Sequence, residues 1–133
     1  MPIVNLLAVL IAAVAGMAIG ALWYSPAILG RPWMRAMGID GSKMQEMKKD
    51  GLGKTYFANF VGELVTAYVL ASFIALSPSS IYAIAFWAWL GFMVPIIMDS
   101  VLWEKRSWNL FFINAGHNLV VILLMAFVIS LFK

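Results

Sequence analysis

The chain has 133 residues, of which 64% are hydrophobic and only 11% charged, with a mean hydropathy of +0.94 and a formal net charge of +3. Soluble domains carry about a quarter charged residues, so this composition reads as an integral membrane protein, too short for two domains. With no cysteine in the sequence, disulfide, dithiol, haem-thiolate and iron–sulfur chemistry are excluded, and no cofactor is expected.

Four apolar runs of about 20 residues or more, the length that crosses about 30 Å of hydrocarbon, take up most of the chain. The runs are continuous, whereas barrel strands alternate apolar and polar residues, so the expected fold is an all-α bundle of four transmembrane helices in a single domain. The first span runs from about Val4 to Tyr24. It lacks a basic n-region and is followed at once by basic residues that resist translocation, so it is read as retained and not as a signal peptide. Ala8, Ala12, Gly16 and Gly20 recur every four residues, a small-xxx-small stripe that admits another helix closely, with packing inside the bundle preferred to a homo-oligomer seam.

Trp23 and Tyr24 read as an interfacial belt, and Pro26 ends the helix. The long loop from Ser25 to Lys54 holds Arg31, Arg35, Lys43, Lys48, Lys49 and Lys54 against Asp40, Glu46 and Asp50, six minus three, which equals the whole net charge of +3. Pro32 is placed to start a short amphipathic helix carrying Arg31, Trp33, Met34, Arg35 and Met37. Ser42 with Gln45 forms a capping-box pattern for a second short helix that Gly51 would close. The loop has no phosphate cradle and no nucleic-acid-binding pattern, so its expected partner is the anionic headgroup layer of a bilayer.

The second span is about Thr55 to Leu76, the third Tyr82 to Trp103 and the fourth Trp108 to Phe132. Lys and Arg number six in the first loop, none in Ser77–Ser80 and two in Glu104–Ser107. The positive-inside rule then predicts a cell (inner) membrane protein with the first and third loops cytoplasmic and both termini outside.

Polar residues inside a membrane span are functional-site candidates, because each costs a few kcal/mol unless something satisfies it. Asn59, Gly62, Glu63 and Thr66 fall on one stripe of the second span, and Asn114, His117 and Asn118 on one stripe of the fourth. In the third, Trp87, Gly91, Pro95 and Asp99 recur at intervals of four. Pro95 leaves the Gly91 carbonyl without its helical donor, which His117 or Asn118 would supply. A rise of about 1.5 Å per residue from the loop ends puts Gly16, Glu63 and Pro95 about 12 Å deep, His117 about 13 to 14 Å, Asn114 about 9 Å, and Asn59 and Asp99 about 6 Å. All four spans are thus expected to contribute to one polar layer.

Aligning Tyr56–Leu76 with Phe111–Leu131 without gaps gives seven identities in twenty-one positions, among them Asn59/Asn114, with Glu63 opposite Asn118 and Gly62 opposite His117. Leu22-Trp23 and Leu102-Trp103 close the odd spans alike. Together these predict a 2+2 parallel repeat.

Three readings of the polar layer follow. Interhelical hydrogen bonds in a structural or accessory bundle are preferred, at about 0.6 kcal/mol each on average. Glu63 and His117 at matched depth would alternatively serve as protonatable groups of a small-solute transporter or channel subunit. A lipid-active enzyme would need a lateral opening beside His117. The residues favour no enzyme: there is no nucleophile motif, and Thr66 beside Glu63 reads as a packing hydroxyl. One histidine with Glu63 and Asp99 is too sparse for a metal set.

Gly20-Ala21-Leu22-Trp23-Tyr24-Ser25-Pro26, Gly30-Arg31-Pro32-Trp33-Met34, Trp89-Leu90-Gly91-Phe92 with Pro95, Leu102-Trp103-Glu104 and Phe111-Phe112-Ile113-Asn114-Ala115-Gly116-His117 together resemble the domain-of-unknown-function 1761 family of small, mainly bacterial membrane proteins. Trp-Tyr-Ser-Pro and Ile-Asn-Ala-Gly-His are the specific pieces. The resemblance implies a four-helix membrane domain and no assigned reaction, substrate or cofactor.

Overall fold

The computed structural model describes residues 3–40, 42–43, 45–46, 53–77 and 79–132. Helix α1 is Leu6–Trp23, α2 Gly30–Met37, α3 Gly53–Leu76, α4 Ile81–Leu102 and α5 Trp108–Ser130. Helices α1, α3, α4 and α5 are each long and apolar enough to cross a membrane, with ends close to those read from the apolar runs. The four long helices alternate in direction, which puts the start of α1, the end of α5 and the α3–α4 connection at one end of the bundle, and α2 with the α4–α5 turn at the other.

Local chemistry fixes the ends. Asn5 Oδ1 accepts from the backbone N–H groups of Leu7 and Ala8 at 3.0 and 3.2 Å, and Ser107 Oγ accepts from Leu110 at 3.2 Å, so two helices start with side-chain caps. Gly38 closes α2 at φ 70°, a left-handed turn in which a side chain would be strained. In the long loop Asp40 Oδ1 accepts from the Lys43 N–H at 2.8 Å, an N-cap type contact two residues before the expected Ser42. The closure expected at Gly51 lies outside the described residues.

Helix α1 is central and packs against α3 and α5, while α4 lies on α5 and touches α3 through its first segment, Ile81–Ala88. The inner residues of α1 are small, Ala8, Ala12, Ala13 and Gly16, which lets both neighbours approach. Val9, Ala12, Leu70, Ile74, Ala85, Ile122, Met125 and Ile129 form the core, and Met125 is its largest fully enclosed side chain. This apolar core occupies the half of the bundle nearer the termini. The α2 half is held differently, by aromatic and amide groups.

Helix α4 is interrupted at Trp89–Met93 by a widened turn in which Val94 donates to the carbonyl five residues back, on Trp89. Pro95 explains the position: it has no N–H for the Gly91 carbonyl and its ring crowds that oxygen, and widening the turn just before it relieves both. The four-residue stripe read from the sequence falls on the outer face of α4, on both sides of the widened turn. Trp87, Gly91, Pro95 and Asp99 are exposed, whereas Ala85, Ala88 and Trp89 pack inward.

Candidate functional site

The turn after α1 builds the site. Pro26 forbids continuation, and the chain folds back through Leu29 N–H to Trp23 O at 3.0 Å and Gly30 N–H to Ser25 O at 2.8 Å. A Cβ on Gly30 would lie 2.5 Å from the Tyr24 carbonyl oxygen and 2.7 Å from the Ser25 carbonyl carbon and oxygen, so only glycine permits the closure. The turn sends Trp23 and Tyr24 sideways onto α5.

There the two meet the polar stretch of the fourth span. The Trp23 indole Nε1 donates to the Ile113 carbonyl at 2.9 Å, and the Tyr24 hydroxyl donates to Asn114 Oδ1 at 2.6 Å, each bond joining residues ninety positions apart. From the other flank the Trp89 indole donates to the Ala115 carbonyl at 2.8 Å. A helical carbonyl has a second lone pair, so α5 accepts these bonds without giving up its own. Gly116 makes room for the indole, since a Cβ there would stand 3.2 Å from Trp23 Cζ2. Trp33 of α2 packs edge-on against Tyr24 with centroids 5.5 Å apart. The result is an aromatic–amide clasp joining α1, α2, α4 and α5.

His117 sits inside the clasp, with ring centroids 5.0 Å from Tyr24 and 6.3 Å from Trp23. Its Nε2 faces Gly20, 3.4 Å from where a Cβ would be, and is buried with no protein hydrogen-bond partner. Glu63 lies against the same helix one turn deeper, its Oε2 2.8 Å from a Cβ built on Gly16. The glycine stripe of α1 therefore receives a carboxyl and an imidazole from two flanking helices. No hydrogen bond or ion pair links the two described side chains, and their contacts on α1 are offset by about 6 Å, one turn, where equal depth was expected.

The remaining residues are dispersed. Asn59 is exposed on α3, its Nδ2 3.2 Å from Met17 Sδ. The Thr66 hydroxyl donates back to the Gly62 carbonyl at 3.0 Å, a local helix contact. Asn118 is half-buried, while Asp99, Gly91, Pro95 and Gly62 are exposed. Neither His117 nor Asn118 makes the expected bond to Gly91, because that face of α4 is turned away. Among the described residues no group of three His, Cys, Asp or Glu side chains is assembled as a metal site. Trp23, Tyr24, Trp33 and Trp89, which the sequence presents as belt or packing aromatics, are the side chains that organise the site. Their signal was the Trp-Tyr-Ser-Pro and Ile-Asn-Ala-Gly-His pieces, which turn out to touch.

No curated protein and no solved structure gives a significant match to the chain. The family of proteins of unknown function DUF1761 matches residues 7–130, and the chain belongs to that family.

Proposed function

We propose that this protein is a structural or accessory membrane bundle whose polar residues lock its helices together. The observation that carries this reading is the clasp, in which the Ile113 and Ala115 carbonyls and the Asn114 amide are taken up by interhelical bonds from Trp23, Trp89 and Tyr24. Four surface grooves formed by the described residues are lined by neither Glu63 nor His117. The charge bias of the loops supports the side bearing α2 as cytoplasmic, with both termini outside.

The reading is tested by a double-mutant cycle of Tyr24→Phe and Asn114→Leu, read as unfolding free energy in mixed micelles. Interhelical bonds in membranes average about 0.6 kcal/mol and reach about 1.7, and the coupling across this 2.6 Å bond should fall within that range. A coupling indistinguishable from zero would remove the clasp as a stabilising device.

One observation favours the second reading, a proton-linked transporter or channel subunit: Nε2 of His117 is buried and unspent. Proteoliposomes decide between them. The bundle reading expects proton flux no greater than in empty vesicles, and a flux abolished by Glu63→Gln or His117→Ala establishes the second.

A further inference from the structure

Helix α2 does not float free of the bundle: it packs back onto the beginning of α5. Between the two lies a groove of about 650 Å³, lined by Arg35, Ser107, Asn109, Pro32, Phe112 and Ile113 among others. That volume is within the range of about 300 to 1,000 Å³ typical of small-molecule sites.

The lining is graded along α5. Ser107 and Asn109 stand at its first turn, with Arg35 facing them from α2. One turn further into the span come Ile113 and Phe112, the latter 66% exposed on the face a bilayer would cover. Among the described residues no carboxylate lines the groove. A soluble anion would use only its polar mouth, and a bare hydrocarbon chain only its apolar wall. A molecule with an anionic head and an apolar tail uses both, and the groove sits where such molecules are concentrated, at the end of a membrane span.

We propose that this groove binds one anionic phospholipid, its phosphate held by Arg35 and the Asn109 amide and its acyl chain running along Phe112 and Ile113. Arginine suits the task because its planar guanidinium presents paired donors to phosphate oxygens. The groove borders the clasp, sharing Ile113 and helix α2 with it, but the proposal does not rest on the function assigned to the clasp.

The test is native mass spectrometry of the full chain released from phosphatidylcholine nanodiscs containing phosphatidylglycerol. One phosphatidylglycerol should remain bound in preference to phosphatidylcholine. Arg35→Gln should weaken its retention about tenfold or more, as expected for a lost hydrogen bond to a charged group, and Arg35→Lys should restore part of it. Asn109→Leu should weaken it without any change in charge. Arg31→Gln, on the same helix but outside the groove lining, should leave it unchanged.

Equal losses with Arg31→Gln and Arg35→Gln would overturn the proposal in favour of a diffuse basic surface. Equal retention of phosphatidylcholine would show an apolar cleft only. Displacement of the lipid by millimolar inorganic phosphate would show a soluble-anion site. A normal helical circular dichroism spectrum is required of each variant, and Asn109→Leu together with Arg31→Gln decides the matter should Arg35→Gln not fold.

Discussion

Gly30 is the residue whose replacement should disturb the clasp most, although it touches none of the clasp's hydrogen bonds to α5. Alanine there brings a methyl group to 2.5 Å from the Tyr24 oxygen and 2.7 Å from two Ser25 backbone atoms. Comfortable non-bonded contacts lie near 3.5 Å, so something must move by close to an ångström, and the obstructing atoms are backbone, which has no rotamer to escape into. Overpacking of this kind costs about 1 to 3 kcal/mol. Opening the turn also lengthens Gly30 N–H to Ser25 O and Leu29 N–H to Trp23 O, each worth about 0.5 to 1.5 kcal/mol net. Alanine recovers at most about 1 kcal/mol of helix propensity at the start of α2. The balance is a loss of about 2 to 4 kcal/mol. It is measured from tryptophan fluorescence as denaturing detergent is titrated into mixed micelles. The same experiment carries a second readout: with the turn displaced, Tyr24→Phe should no longer destabilise, because its bond to Asn114 is already broken. A Gly30→Ala protein within about 0.5 kcal/mol of the parent, the range of an ordinary surface change, would refute the turn geometry.

The glycine stripe of α1 gives a graded pair. Gly16→Ala meets Glu63 Oε2 at 2.8 Å and Met125 Cε at 3.0 Å, whereas Gly20→Ala meets His117 Nε2 at 3.4 Å. The atoms obstructing the first are the ends of flexible side chains, so it should destabilise by about 1 kcal/mol, the low end of overpacking, and the second by clearly less, in the same micelle titration. Lys105 holds φ 60°, the one non-glycine left-handed residue among those described. Lys105→Gly should be neutral to stabilising by about 1 kcal/mol, since a side chain in that region costs about 1 to 2. The absence of native cysteine makes topology direct to measure: Ser79→Cys and Lys105→Cys should react with an impermeant maleimide from opposite faces of sealed vesicles. Labelling of both from one face would contradict four crossings.

The spans were legible because continuous apolar runs of membrane length admit little else, and α2 was legible because Pro32 and the two arginines mark an amphipathic start. The clasp was not. Helical periodicity gives the face on which Asn114 and His117 sit but carries no information on which helix lies opposite, and Trp23 and Tyr24 meet them across ninety residues. A tryptophan and a tyrosine at a span end have an ordinary interfacial explanation, which masked their hydrogen bonds. The stripe on α4 failed for a different reason. Four-residue spacing marks one face of a helix without saying whether that face looks in or out, and on α4 the inward face is that of Ala85, Trp89 and Met93, while Trp87 already points out ahead of the widened turn. Glu63 and His117 were placed by counting rise from the span ends, and the contacts on α1 then separate them by a turn, because packed helices need not begin at one level.

The two sides of α1 are held by different forces. Toward α5 it is tied by an indole and a phenol that both reach polar acceptors, directional contacts that tolerate little sliding. Toward α3 it offers small residues and receives Glu63 over Gly16 and Asn59 on a soft sulfur acceptor, contacts that fix distance more than register. In a bilayer no hydrophobic force between helices makes up the difference, since lipid is as apolar as leucine. Among the described contacts the only side-chain hydrogen bond that ties α3 to another helix is the weak amide–sulfur bond of Asn59 to Met17, and α3 is also the helix that carries the membrane glutamate. Replacing Met17 with leucine, which removes the acceptor for Asn59 while keeping the volume, should raise amide exchange along α3 and leave α5 unchanged. Equal exchange in both helices would mean that the bundle moves as one body.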